Sequence, residues 1–310
     1  VSRLVRATDE EKRDRDRLAW QAWGAKLTED QFLRRERLLR SHPWAASGMD
    51  TWLWRDDDGA VLSSCETFVG RSFFEGAPSR SYAVASVFTE EARRGQRHAS
   101  RMMDALVAQI RRDDPAAHAI TLYSDVGEAI YARSGFVALP ARDRVFASCE
   151  GDPAQGVDEV IAEEALKVPP PPSTEPFLLW PDAPQMDWHR ARERFYAETL
   201  KRPRNGICGA RVGESFAFWV ADYKNEQLLI LLLTEPTRAA IELLLIAARR
   251  TAYQLALPRV VLWEDEGLTP ALAGLSGESV PREGSLPMIV PLHPRLRPEQ
   301  WRLRPRALWV

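Results

Sequence analysis

Residues 81–140 read SYAVASVFTEEARRGQRHASRMMDALVAQIRRDDPAAHAITLYSDVGEAIYARSGFVALP, and the order of elements in this stretch decides the fold. An apolar run of strand length, Tyr82 to Phe88, ends in a short basic loop, Arg94-Gly95-Gln96-Arg97-His98-Ala99. Apolar residues at Ala99, Met102, Met103, Leu106, Val107 and Ile110 then follow the i, i+3, i+4, i+7 spacing of one buried helix face. A second strand is expected over Ala119 to Tyr123, then a short helix carrying Tyr131, then Gly135-Phe136. A strand leading through a tight basic loop into a helix is a phosphate-binding arrangement. The first helical turn has N–H groups without intrahelical partners, and the positive end of the helix dipole points the same way.

Arg94-x-x-Arg97-x-Ala99 resembles the Arg/Gln-x-x-Gly-x-Gly/Ala loop of the GNAT superfamily of acyl-CoA N-acyltransferases at two of its three fixed places. Downstream, Tyr131-Ala-Arg-Ser-Gly135-Phe136 resembles the Tyr-x-x-x-Gly-Phe element of that superfamily. Within it the chain is similar to the fungal L-lysine N6-acetyltransferase group in Ser64-Cys-Glu-Thr67, Ser86-Val-Phe-Thr89, Arg101-Met-Met103, Leu122-Tyr-Ser-Asp-Val-Gly127 and Asp222-Tyr-Lys224. The resemblance implies an α/β (α+β) GNAT fold, a mixed, largely antiparallel sheet flanked by helices. It implies acetyl-CoA as cosubstrate, no metal, and a small primary amine as acceptor, with the N6 of L-lysine the first candidate. One place departs from the pattern. Arg97 stands where the family has glycine, a residue that takes positive φ freely and lets the backbone approach a pyrophosphate. An arginine there still offers its N–H, and its guanidinium can bind phosphate directly or occlude the groove.

Moving an acetyl group from a thioester to an amine sets four requirements: hold the anionic cofactor, present a neutral amine, hydrogen-bond the carbonyl oxygen as charge develops, and protonate the leaving thiolate. The first falls to Gly95, Gln96, Arg97, His98, Ala99 and Ser100 with Arg94, and the third to a backbone N–H among Val87, Phe88 and Thr89. Tyr131 is the candidate for the fourth, the position of the general acid in the family resemblance; the alternative is a tyrosine packed on the sheet. Glu66, in mid-strand, is the candidate base or substrate contact, or else an inert outward residue. Asp125 and Ser124 are read as a structural turn. His42, His118, His189 and His293 have no metal-ligand spacing and are expected at the surface.

With 42 basic and 44 acidic residues, the formal net charge of -2 gives no electrostatic case for nucleic acid or an anionic membrane. The Arg-rich stretches Arg3–Arg40 and Arg295–Arg306 are read as solvated surface. No apolar run approaches the ~20 residues that span a bilayer, and residues 1–20 lack a signal-peptide pattern. Cys65, Cys149 and Cys208 include no C-x-x-C pair, so a reducing, cytoplasmic setting is expected. Composition does not address oligomeric state.

Along the chain, a strand is expected at Val1–Arg6, and Thr8 with Glu11 and Thr28 with Gln31 form capping-box patterns opening two helices. Strands follow at Thr51–Arg55 and Ala60–Val69 around an Asp57-Asp58-Gly59 turn, then a loop over Arg71–Arg80, and Asp143–Ser148 closes the sheet. The expected domains are 1–150, an acidic, Pro-rich linker at 151–176 containing Pro169–Pro172, and 177–310. The last part repeats the first. Phe88-Thr89-Glu90 matches Leu233-Thr234-Glu235, and Leu122-Tyr-Ser-Asp-Val-Gly127 matches Leu262-Trp-Glu-Asp-Glu-Gly267. Asp125 lies 36 residues after Thr89 and Asp265 lies 31 after Thr234, the shortfall that deleting the basic loop produces. The expectation is a duplicated, degenerate GNAT-like half without the phosphate loop, with a coincidence of common strand–helix patterns as the alternative. Its acidic strand end, Glu264-Asp265-Glu266, is read as solvated surface, with a place beside the acceptor cleft as the alternative. Two functions stand: an acetyl-CoA-dependent N-acetyltransferase, and a degenerate relative that binds acyl-CoA as a regulatory or scaffolding ligand without turnover.

Overall fold

The computed structural model describes residues 2–161, 175–234 and 237–310. In chain order the first half forms β1 (Arg3–Arg6), α1 (Asp9–Trp23), α2 (Glu29–Ser41), α3 (Pro43–Gly48), β2 (Met49–Arg55), β3 (Val61–Phe74), β4 (Ala77–Phe88), α4 (His98–Asp113), β5 (Ala119–Ser124), α5 (Ala129–Ala132) and β6 (Val137–Ala138). The second forms β7 (Arg142–Ala147), β8 (Asp158–Ile161), β9 (Phe177–Leu179), α6 (Ala183–Thr199), β10 (Ile207–Val212), β11 (Ser215–Asp222), β12 (Gln227–Thr234), α7 (Arg238–Gln254), β13 (Arg259–Glu264), α8 (Thr269–Leu272), β14 (Glu278–Pro281) and β15 (Leu286–Pro291). Two compact units result, one from residues up to 140 with 283–300 and 309–310, the other from 141–282 with 301–308.

In the first unit the strand path runs β1-β2-β3-β4-β5-β15-β6. Both expected capping boxes are present: Thr8 accepts from the Glu11 N–H while Glu11 accepts from Thr8, and Thr28 and Gln31 do the same. Helix α4 buries Met102, Met103, Leu106, Val107 and Ile110 against the sheet in one cluster with Cys65, Val84, Ile120, Leu122, Tyr131 and Met288. At about 1.5–3 kcal/mol per buried side chain, that face supplies most of what holds α4 in place. The β4–β5 pairing is parallel and short, Tyr82↔Ile120, Ala83↔Thr121 and Val84↔Leu122. Beyond Val84 the two strands part.

The second unit repeats this plan, with strand path β14-β7-β13-β12-β11-β10-β8. Read from β8 it matches the first unit strand for strand, and β12–β13 is again parallel over three pairs, Leu228↔Val260, Leu229↔Val261 and Ile230↔Leu262. The strand–helix–strand core expected for the second half is therefore present. Only residues 235 and 236, which lie outside the described residues, separate β12 from Thr237, whose side chain caps α7 by accepting from the Ala240 N–H. That is too short for a basic loop like the one before α4.

Several expectations are corrected. The segment Arg71–Arg80 is not a loop: β3 and β4 stay paired to Phe74↔Ala77, and Glu75 and Gly76 make the turn with φ of 50° and 78°. Asp143–Ser148 does not close the first sheet; β7 lies between β13 and β14 in the second, and the corresponding place in the first sheet is taken by β15 from far downstream. The boundaries drawn at 150 and 177 accordingly differ from the compact units, and the expected linker contains β8, paired with β10. Pro169–Pro172 lies outside the described residues. Arg15, Arg35 and Arg304 are buried rather than solvated, as are His118 and His189. Among the described residues no helix is long and apolar enough to cross a membrane.

Candidate active site

The loop ahead of α4 enters the helix through two residues of left-handed conformation. Gly95 has φ 78° and Arg97, the N-cap residue, has φ 64° and ψ 22° without a side-chain cap. The position thus adopts the left-handed conformation that favours glycine, although it holds arginine. Neither backbone nor side-chain acceptors among the described residues take the N–H groups of Gly95 through Ser100. Arg97 is exposed and its guanidinium makes no hydrogen bond in the described chain. Arg94 is drawn back, its Nε donating to Thr89 O at 3.2 Å. His98 contacts Gln96 Oε1 through Nε2 at 3.2 Å, and burial followed by the charges of Arg101 and Arg93 lowers its pKa. Ser100 Oγ donates to Ile130 O at 3.2 Å, tying the start of α4 to α5 and so to Tyr131.

Where β4 leaves β5 it also bulges. Ser64 pairs with Phe88 but Glu66 with Ala85, so Ser86 and Val87 stand together opposite Cys65, and Ser86 has φ 52°. Val87, Phe88 and Thr89 are all part-exposed here, and Thr89 Oγ1 and Phe88 O both meet Ser63 Oγ, at 2.9 and 2.8 Å. A bulge next to a splayed pair turns backbone groups out of the ladder, where they can serve a ligand.

Tyr131 is buried against Phe136, and its hydroxyl has no hydrogen-bond partner among the described residues. Burial, with Cys65 and Asp125 adding to it, pushes its pKa up to about 12. Burial likewise pushes the Cys65 thiol up to about 12.

Glu66 sits on the other face of β3, buried, in a cluster the sequence reading missed. Arg15 of α1 donates from Nη1 to Glu66 Oε1 at 3.0 Å, from Nε to Ser64 Oγ at 3.0 Å and from Nη2 to Ser86 O at 2.7 Å. Arg40 of α2 donates to both carboxylate oxygens of Asp16, at 2.9 and 3.1 Å, and lies 3.5 Å from Glu66. Burial alone would raise the Glu66 pKa, but Arg15 and then Arg40 outweigh it and hold the carboxylate below its usual range. An ionised, paired carboxylate accepts protons poorly, so the geometry favours an anchoring role over that of a base. Burial pushes the Asp16 carboxyl up even though Arg40 pairs with it. No local pattern marks the burial of Arg15 or the partial burial of Arg40, so the sequence carried no signal for this cluster.

Beside the bulge, on the α1 side, a cavity of about 280 Å³ is lined by Leu18, Leu53, Val61, Leu62 and Phe88, with Glu11, Asp14, Glu90, Arg15 and Arg55 around them. Glu11 is tied to Arg55 and to the Thr8 N–H. Asp14 is held by the exposed Arg17, and Glu90 is exposed.

The remaining candidates are structural. Asp125 Oδ1 accepts from Ser285 N at 2.7 Å, and Ser124 Oγ bonds Gly127 O and Val126 N, as a turn requires. His42 caps α3, His118 bonds Ser72, and His189 bonds Ala307 O at 2.8 Å. In the second unit Glu264 is bound to Arg144 and Ser279, and Asp265 is buried against Arg304, so only Glu266 of that acidic trio is exposed. Among the described residues no cluster of His, Cys, Asp and Glu could hold a metal ion.

A family model described as LYC1 GNAT-like C-terminal domain matches residues 152–295. A lysine acetyltransferase of Yarrowia lipolytica is 22% identical over 327 aligned positions, covering 83% of each chain. Among solved structures, a tandem GNAT protein from the clavulanic acid biosynthesis pathway aligns over 95% of this chain and 99% of its own, at 13% identity and TM-score 0.51. A probable N-acyltransferase of Enterococcus faecalis aligns over 94% and 72%, at 13% identity and TM-score 0.57. At such identities the structural likeness speaks for the fold, and its two-unit plan is the one described above. Residues 152–295 thus match the LYC1 GNAT-like domain, and the chain as a whole has the two-unit GNAT fold and is similar to a fungal lysine acetyltransferase.

Proposed function

We propose that the chain transfers the acetyl group of acetyl-CoA to a small cationic primary amine, with free L-lysine the first candidate. The observation that carries this reading is the set of uncommitted N–H groups from Gly95 to Ser100 at the head of α4, beside the gap between β4 and β5. Acetyl-CoA would supply the activated acyl group and an anionic pyrophosphate. The loop N–H groups and the Arg97 guanidinium would hold that pyrophosphate, helped by the helix dipole. The second unit, without room for such a loop, would bind none.

The acceptor fits the cavity beside the bulge. Its apolar wall of Leu18, Leu53, Val61, Leu62 and Phe88 suits an aliphatic stem, and the exposed carboxylates of Asp14 and Glu90 attract a cation and can relay its proton to water. A backbone N–H at Val87 to Thr89 would donate to the carbonyl oxygen as charge develops. Tyr131 would protonate the departing sulfur. The name of the Yarrowia lipolytica relative supports lysine as acceptor. The test is incubation of the full chain with acetyl-CoA and a panel of amines, read by mass spectrometry of acetylated product and by release of free CoA. An acetylated lysine is the expected product. Binding of acetyl-CoA without product from any amine would refute catalysis and favour a ligand-binding role.

A further inference from the structure

The β4 bulge interrupts its ladder between Ala85 and Phe88. Ser86 has a left-handed φ of 52°, a strained choice for a residue with a Cβ, which persists only where surroundings over-determine it. Those surroundings are charged and come from α1. Arg15 Nη2 donates to the Ser86 carbonyl at 2.7 Å, while Arg15 Nη1 donates to the Glu66 carboxylate at 3.0 Å. Arg15 thus joins the Ser86 carbonyl to the Glu66 carboxylate and to Ser64 Oγ. Asp16, next to Arg15 in sequence, is clamped by both terminal nitrogens of Arg40, which fixes α1 against α2. All four charged side chains lose most or all of their contact with water, a costly arrangement that hydrophobic residues would usually improve upon.

The peptide that Arg15 grips is the one between Ser86 and Val87. It is trans, so its N–H points opposite to its C=O. With the carbonyl drawn toward α1, the Val87 N–H is turned away from Arg15, and the Val87 side chain packs against the cluster that holds Cys65 and Tyr131. We infer that Arg15, braced by Glu66, is a positioning residue that aims the Val87 N–H at the thioester carbonyl oxygen of the bound acyl donor. This rests on the acetyl-transfer reading above. It also gives the buried ion cluster a purpose that stability alone does not.

The test reads individual amides. The full chain, ¹⁵N-labelled, is titrated with acetyl-CoA and separately with CoA, in the wild type and in Arg15→Gln/Glu66→Gln. The double variant removes both charges together, whereas Arg15→Gln alone leaves Glu66 buried without its main partner and risks unfolding. In the wild type the amides of Gly95 to Ser100 should move with both ligands, and Val87 with acetyl-CoA but far less with CoA. In the double variant the loop amides should respond as before, while the acetyl-dependent movement of Val87 falls by at least half. The kcat should drop on the order of ten- to a hundredfold, short of the 10²–10³ seen when such a donor is deleted, with KM for acetyl-CoA within about twofold. An undiminished Val87 response in the variant overturns the inference while leaving the cofactor site intact. Loop amides that stay still in the wild type overturn the cofactor assignment, and this inference with it.

Discussion

Arg97 offers the sharpest test of the phosphate loop, because its backbone and its side chain pull in opposite directions. Its φ of 64° places an L-residue in the left-handed region, at a penalty of roughly 1 kcal/mol. Arg97→Gly removes that penalty but gives the unfolded chain more freedom, worth about 0.4–1 kcal/mol against the fold. The ligand-free variant should therefore be as stable as the wild type or slightly more so, with Tm higher by at most about 3 °C. The guanidinium, exposed and without a partner in the described chain, is the group lost to the ligand. A charge-assisted hydrogen bond to phosphate is worth about 1.5–3 kcal/mol, so acetyl-CoA should bind roughly ten- to a hundredfold more weakly. Arg97→Gln separates the two effects, since it keeps the strained backbone and removes the charge; it should lose affinity with no change in Tm. The assays are thermal denaturation without ligand and calorimetric titration with acetyl-CoA, which should also give one site per chain. A glycine variant clearly less stable than wild type would refute the strain argument. A glutamine variant that binds as tightly as wild type would show that Arg97 is not a phosphate ligand, and two equivalent sites would defeat the degeneracy of the second unit.

Two further expectations concern groups buried in each unit. Tyr131→Phe should lower kcat by about 10²-fold or more with acetyl-CoA affinity nearly unchanged, as for loss of a positioned general acid; an unaltered chemical step measured in single turnover would return Tyr131 to a packing role. His189 is buried, and burial lowers its pKa to about 3, so below the unfolded value of ~6.5 protons favour the unfolded chain and its contribution to stability is lost as pH falls from about 6.5 toward 3. His189→Gln should therefore lose less stability than wild type between pH 8 and pH 4.5, by on the order of 3 kcal/mol in denaturant titrations; parallel losses in the two proteins would show that His189 does not titrate this way.

The stretch from Ser81 to Pro140 was legible because everything in it is local. The helical spacing of Met102, Met103, Leu106, Val107 and Ile110, the capping boxes at Thr8 and Thr28, and the basic loop each depend on residues within a turn or two of one another. The same holds for the second half, where β12, α7 and β13 repeat the pattern with the loop removed. What the chain cannot announce locally is which distant segments complete a sheet. Strand β7 follows the first half in sequence yet pairs with β13, and β15 lies between β5 and β6, because either sheet's open position accepts an apolar strand and only the folded backbone selects one. Glu66 shows the same limit in the site itself. Its type and its place in mid-strand suggested a base or a substrate contact, but its partners are Arg15, 51 residues earlier, and Arg40, 26 residues earlier. Sequence spacing settles which side chains share a face of one helix or strand; the ionisation and work of a buried charge depend on partners that tertiary packing brings to it.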